Sequence, residues 1–273
     1  MIMELRTDDG LRLNYQVVGH GQSLVFIHGF GGYQQVWTRQ VEYFTSHGYQ
    51  VVTYDQRNHG ASQFDPNLDS IHRLSRDLQE LLAWPTINHP ILIGHSMGAS
   101  VIYDFLTRYP NYPLAGVVAV DQSPRLINSP SWPYGFMKVT RANYQQGLLA
   151  PGVSETLHGI DQHVYDQLRV VKQQFPFDRA ANRELVTDVA RQDFRPTLAT
   201  TKVPTLLVTA NQSPFYQSAY ATVAKDNPMV HHLSIDQFGH VVMAEQVAVF
   251  NQVVSQFLYQ LESSLSGGFF SRG

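Results

Sequence analysis

Short runs of consecutive apolar residues recur along most of this chain, and amphipathic stretches of helix length separate them. Leu24-Val25-Phe26-Ile27 ends in His28-Gly29, and Val51-Val52-Thr53-Tyr54 ends in Asp55. Ile91-Leu92-Ile93 ends in Gly94, and Val117-Val118-Ala119-Val120 ends in Asp121. Thr205-Leu206-Leu207-Val208-Thr209 follows Pro204, and residues 230–235 close the series. A strand that is apolar on both faces needs cover on both faces, which is what a parallel sheet flanked by helices provides. Residues 11–18 alternate instead, after an Asp9-Gly10 turn, as in a hairpin strand. The intervening stretches carry helical spacing. Residues 34–46 place Val36, Trp37, Val41 and Phe44 near one face and stop at His47-Gly48. Residues 69–84 set Ile71, Leu74, Leu78, Leu81 and Leu82 on one stripe and stop at Pro85. Residues 96–109 stop at Pro110, and residues 242–265 form a long final helix. The alternation predicts a doubly wound, mostly parallel α/β sheet.

The pattern breaks over residues 122–201, which hold no convincing strand. About eighty residues is too long for a bare loop in a compact domain. Helical spacing near residues 140–149, 160–174 and 179–192 predicts an inserted helical lobe over one sheet edge. The core is then residues 1–121 with 202–273, and the lobe is 122–201. No repeat or linker marks a second independent domain. The tail, residues 263–273, reads as a loose end whose Phe269 and Phe270 are available to dock on the body or on a partner.

Composition narrows the function classes. Of 273 residues, 43% are hydrophobic and 12% aromatic, enough for a real core. Net charge is −3, so no polyanion-binding surface announces itself and nucleic acid is not an expected partner. Cysteine is absent, which excludes disulfides, thiolate metal sites and a Cys nucleophile. The 12 His show no metal-ligand spacing. The N-terminal residues lack a basic-then-apolar leader, and no apolar run reaches about 18 residues. The expectation is a cytoplasmic protein, monomer or homodimer, with no membrane partner.

The sharpest local signal is Gly94-His95-Ser96-Met97-Gly98, between an apolar strand and a helix. A strand that turns straight into a helix strains its corner residue, and flanking glycines let the chains close on one another. Ser96 then stands at the C-terminal edge of the sheet, where the free N–H groups of the following helix favour an anion. A serine nucleophile needs a base. His240, in Phe238-Gly239-His240 after the last strand, is the best placed. His28 and His95 lie in tight motifs that favour local hydrogen bonds, His59 lies in a loop, and His231 and His232 alternate along a strand. An oxyanion needs two donors. The expected pair is the N–H of Met97 and the N–H of Phe30, the latter in the glycine-rich loop His28-Gly29-Phe30-Gly31-Gly32.

These motifs, in this order, resemble the α/β-hydrolase superfamily over nearly the whole chain. Asp55-Gln56-Arg57-Asn58-His59-Gly60-Ala61-Ser62 is similar to that family's D-x-R-G-x-G-x-S segment, with Asn58 replacing Gly. Asn is the residue after Gly that best tolerates the left-handed backbone. The resemblance implies an eight-stranded sheet and a lid inserted after the sixth strand. It also implies a triad acid soon after the seventh strand, but that turn reads Ala210-Asn211-Gln212-Ser213-Pro214, with Ser213 where Asp is expected. Some relatives carry the acid after the sixth strand, which here is Asp121. Asp121 is the expected acid, with Asp236 or a Ser–His dyad as the alternatives. Dehalogenases and epoxide hydrolases of this fold use Asp at the elbow, and Ser96 argues against both.

The expected activity is hydrolysis of a small carboxylic ester through an acyl-enzyme, with Ser96, His240 and Asp121 as catalytic residues and no metal or organic cofactor. Trp132, Tyr134 and Phe136 are the expected substrate-binding residues, and Phe175, Phe177, Phe30 and Trp37 are further lining candidates. The alternatives are thioester hydrolysis, C–C bond hydrolysis or perhydrolysis on the same residues, a small-ligand receptor with feeble turnover, and an interaction protein that uses the tail.

Overall fold

The computed structural model describes residues 2–147, 155–215 and 217–267. The expected tail contacts of Phe269 and Phe270 lie outside these residues, as does the end of the helix expected over 140–149. The strands are β1 (Ile2–Arg6), β2 (Arg12–Val18), β3 (Ser23–Ile27), β4 (Gln50–Tyr54), β5 (Ile91–His95), β6 (Gly116–Val120), β7 (Thr205–Ala210) and β8 (Val230–Ile235). They form one eight-stranded sheet in the order β1-β2-β4-β3-β5-β6-β7-β8. β1 and β2 pair antiparallel across the Asp9-Gly10 turn, and β2 pairs antiparallel with β4. Every other pairing is parallel. Because β3, β5, β6, β7 and β8 are parallel neighbours, the residues that follow them emerge side by side at one edge.

The helices of the core are α1 (Thr38–Ser46), α2 (Ile71–Leu82) and α3 (Met97–Arg108). The segment after β6 holds α4 (Tyr144–Gly147), α5 (Gln162–Gln174), α6 (Arg183–Arg191) and α7 (Arg195–Thr200). Then come α8 (Gln217–Ala224), α9 (Val242–Glu245) and α10 (Val247–Gly267). The final stretch, read from sequence as one helix, breaks at Gln246 into α9 and α10. The short α7 and α8 had no expectation. α7 begins with Arg195-Pro196, and the fixed φ of proline suits a first turn.

The strand residues alternate between two cores, which is the physical meaning of runs apolar on both faces. Val25, Ile27, Val52, Leu92, Val117 and Ala119 pack with the buried stripe of α2 and with α3. Leu24, Phe26, Val51, Ile93, Val118 and Val120 pack with Phe44 of α1 and with Phe250, Val254 and Phe257 of α10. Trp37, expected as a possible pocket residue, belongs to this second core against Phe26 and Phe250. Helix α2 starts where Ser70 Oγ accepts the His72 N–H.

The segment between β6 and β7 is rooted on both faces. Leu185 and Val189 of α6 and Leu198 of α7 join the core with α2 and α3, and Val164 of α5 joins the core with α1 and α10. Two polar ties reinforce this. Asp188 accepts from Ser70 Oγ and the Ile71 N–H, and Asp161 pairs with Arg39 at 2.9 Å.

Two glycines set the approach of α3 to the sheet. A Cβ on Gly98 would lie 2.3 Å from the Ile27 carbonyl oxygen, and one on Gly94 would lie 2.5 Å from that of Gly98. Both obstacles are backbone atoms and cannot turn aside. Gly98→Ala is therefore expected to destabilise the protein by about 2 kcal/mol or more, because overpacking against backbone is not relieved by rotamers. Urea unfolding measures this, and an unchanged midpoint would mean that the α3 end yields.

Candidate active site

Ser96 occupies the corner between β5 and α3 with φ 52° and ψ −124°, a strained backbone for a residue with a Cβ. Its N–H donates to the Val120 carbonyl at 2.9 Å, which ties the corner to the neighbouring strand. The side chain is half-exposed. Ser96 Oγ has no hydrogen-bond partner among the described residues.

His240 reaches this corner from the loop after β8. Its carbonyl accepts from Nε2–H of His95 at 2.9 Å, and the two rings lie 4.5 Å apart. His240 is thus anchored to the residue adjacent to Ser96. Its Nδ1–H donates to Asp121 Oδ2 at 2.6 Å, which leaves the lone pair on Nε2. Gly239 allows this path. A Cβ there would lie 2.7 Å from the Glu155 carbonyl oxygen, and its N–H donates to Glu245 Oε2 at 2.9 Å.

Asp121 is fully buried, directly after β6, with φ 50°. Oδ2 also accepts from Ser213 Oγ at 2.5 Å, and Oδ1 accepts the Ala210 N–H at 3.3 Å. The serine at the position where an acid was expected therefore donates to the Asp121 carboxylate. Asp236 lies elsewhere and accepts from Asn211 Nδ2.

The loop after β3 lies against the same corner. A Cβ on Gly29 would lie 3.0 Å from Ser96 Cβ. Gly32 N–H closes a turn to the Gly29 carbonyl at 3.0 Å, and Gly31 N–H donates to His59 Nε2 at 3.0 Å. Among the described residues, the Phe30 and Met97 N–H groups donate to no turn or loop carbonyl. Asn58 adopts φ 65°, the left-handed turn that its motif requires. Arg57, in the same motif, is fully buried between Asp77, Asp9 and Asp65.

Aromatic side chains surround the corner. Phe215 lies 5.4 Å from the His240 ring, and Phe136 lies 5.1 Å from Phe215. Phe177 stacks on His59 at 4.5 Å and meets Phe30 edge-on at 5.1 Å. The Phe175 carbonyl accepts from Tyr33 Oη, while the Phe175 ring is exposed. Trp132 does not join this group. It is 3% exposed, its indole N–H donates to the Arg125 carbonyl, and Arg195 sits over its ring. Tyr134 is half-buried and meets Trp132 edge-on. His59 and Phe215 were not singled out from sequence as members of the site, and Ser213 was noted only as standing where an acid was expected. In sequence His59 read only as a loop histidine.

Burial holds three histidines of this edge in the neutral form. His28 is pushed down to about 4. His59 is pushed down to about 3 by burial and by its neighbour His28. His95 is pushed well below its ordinary value by burial and by His240. Their hydrogen bonds fix the tautomers. His28 accepts the Gln56 N–H on Nε2 and donates from Nδ1 to the Gly29 carbonyl. Unfolded histidine titrates near 6.5, so between there and about pH 4 the unfolded chain binds protons that the folded one refuses. Stability is therefore expected to fall as pH drops below 6.5, by up to about 1.4 kcal/mol per pH unit for each such histidine. Urea midpoints at pH 7, 6 and 5 check this, and a flat series would contradict it.

The comparisons agree with this architecture. The model of the alpha/beta hydrolase family matches residues 24–253, and the chain belongs to that family. It is 28% identical over 135 residues to a bifunctional esterase/perhydrolase of Acinetobacter calcoaceticus, covering 48% of this chain and 49% of that protein. It is 20% identical over 262 residues to an AB hydrolase superfamily protein of Bacillus subtilis, covering 93% and 97%. Its fold is similar to a solved esterase of Exiguobacterium antarcticum, with a TM-score of 0.80 at 15% identity, covering 95% of this chain and 100% of that one. The chain spans less than half the length of the first curated relatives it matches.

Proposed function

We propose that this protein is a serine hydrolase that cleaves small carboxylic esters through an acyl-enzyme. The observation that carries the reading is the 2.6 Å hydrogen bond from His240 Nδ1 to buried Asp121, made beside the strained Ser96 corner. Asp121 fixes the His240 tautomer that bares Nε2. Nε2 takes the proton from Ser96 Oγ as that oxygen attacks the ester carbonyl. The carbonyl oxygen becomes an oxyanion held by the N–H groups of Phe30 and Met97. The imidazolium formed is stabilised by the Asp121 carboxylate and gives its proton to the leaving alcohol. Water then repeats the cycle on the acyl-enzyme, which releases the acid and restores Ser96. The steps require no proton carrier beyond His240.

In this reading residues 122–201 act as a lid over the corner, with residues 1–121 and 202–273 as the core. Phe136, in contact with Phe215 beside His240, is the selectivity residue for the acyl group, whereas Trp132 stabilises the lid from within. Among the described residues no helix is long and apolar enough to cross a membrane. The relative named as both esterase and perhydrolase favours a second reading, in which hydrogen peroxide replaces water on the acyl-enzyme and releases a peracid.

Ser96→Ala is expected to abolish hydrolysis of p-nitrophenyl acetate and labelling by a fluorophosphonate while the fold persists. Activity within a few-fold of wild type refutes the reading. Asp121→Asn is expected to lower kcat by roughly 10²–10⁴, since an amide cannot impose the same tautomer or stabilise imidazolium. Phe136→Ala is expected to shift KM across a series of acyl lengths more than kcat. A peroxide-dependent peracid assay on the same enzyme decides the second reading.

A further inference from the structure

The glycine-rich loop after β3 has to present one N–H to an oxyanion and dispose of the others, because buried N–H groups left unpaired are costly. Gly32 N–H is spent on the Gly29 carbonyl. Gly31, at φ 70°, turns its N–H the other way, onto His59 Nε2 at 3.0 Å. Among the described residues the Phe30 N–H donates to no turn or loop carbonyl, and the serine-hydrolase reading assigns it as the loop's donor toward Ser96. His59 accepts only because its proton is on Nδ1, and that proton is held by the Arg57 carbonyl at 2.8 Å. Arg57 is itself clamped by three carboxylates. The ring is 1% exposed and lies against His28 on one side and Phe177 on the other. Phe177 also fills the space beside Gly31, at 3.2 Å from a Cβ built there.

We propose that His59 is a positioning residue for the oxyanion hole. It captures the Gly31 N–H and so fixes the loop conformation that aims the Phe30 N–H at the reacting oxygen, and Phe177 of the segment after β6 holds its ring in place. This rests on the serine-hydrolase reading. It adds a chain of contacts from Asp77 through Arg57 and His59 to Gly31. Burial and the neighbouring His28 push His59 down to about 3, so its ring is a neutral acceptor near neutral pH. The tie acts on transition-state geometry rather than on ground-state binding. Its loss therefore lowers kcat and leaves KM in place.

Two measurements test it. In uniformly ¹⁵N-labelled wild-type protein, a coupling across the hydrogen bond between the Gly31 amide nitrogen and His59 Nε2 is expected, and its absence overturns the proposal without reference to activity. In kinetics with p-nitrophenyl acetate, His59→Phe keeps the stacked ring and removes the acceptor. A kcat loss of about 10- to 100-fold is expected, below the full cost of an oxyanion donor, with KM within about three-fold. His59→Gln, whose Oε1 can accept the same N–H, is expected to recover most of that loss. A His59→Phe kcat within two-fold of wild type overturns the proposal, as does an equal loss in both variants, which would mark a role in packing alone. Should His59→Phe not fold, the wild-type coupling together with the His59→Gln kcat still decides. A wild type that turns over no ester overturns the serine-hydrolase reading itself. An active wild type indifferent to the His59 acceptor overturns this inference alone.

Discussion

The first turn of α3 lies so close to the ends of β3 and β5 that backbone touches backbone, and the rest of the site depends on this approach. Gly98 meets the Ile27 carbonyl and Gly94 meets Gly98, so only glycine serves at either place. The closeness forces Ser96 into φ 52° and lifts its side chain clear of the sheet. It also brings the loop after β3 up against Ser96, and sets the N-terminus of α3 beside it. A looser corner would relax both the Ser96 backbone and the approach of the loop after β3 to its side chain.

Around this corner three histidines are hydrogen-bonded so that each keeps one fixed tautomer. His95 donates to the His240 carbonyl, His28 bridges Gln56 and Gly29, and His59 bridges Arg57 and Gly31. All three rings are buried and neutral, so their donors and acceptors do not exchange places near neutral pH. His240 differs. Its Nδ1 is committed to Asp121 while Nε2 stays open. Buried neutral rings on one side and the Asp121 carboxylate on Nδ1 suit proton transfer at His240 Nε2.

The segment after β6 shows where reading the chain stops short. Its aromatics looked equivalent in sequence, yet the fold separates them. Trp132 turns inward to Arg125 and Arg195, and Phe136 reaches the ring beside His240. Phe177 reaches His59 and Phe30. Irregular chain has no period from which facing can be computed, and only the packing of α5 and α6 on opposite cores fixes which ring points where.

The local sequence by itself determined strands β2 to β8, the buried stripe of α2 and the glycine-flanked corner at Ser96, because each follows from backbone sterics or from the spacing of neighbouring residues; β1 had no expectation, and the left-handed turn at Asn58 came from the family resemblance. The local sequence also brought Ser96 and Asp121 to one edge, since each directly follows a parallel strand, and placed His240 in the loop after the last one. Tertiary structure alone decided how Asp121 is used. Ser213 looked like a missing acid until the strand order β6-β7-β8 set it 2.5 Å from that carboxylate as a donor. It likewise made His59, an ordinary loop residue by sequence, the partner of Gly31. Contacts between residues far apart along a chain are set by strand order and loop path, and no local pattern encodes those.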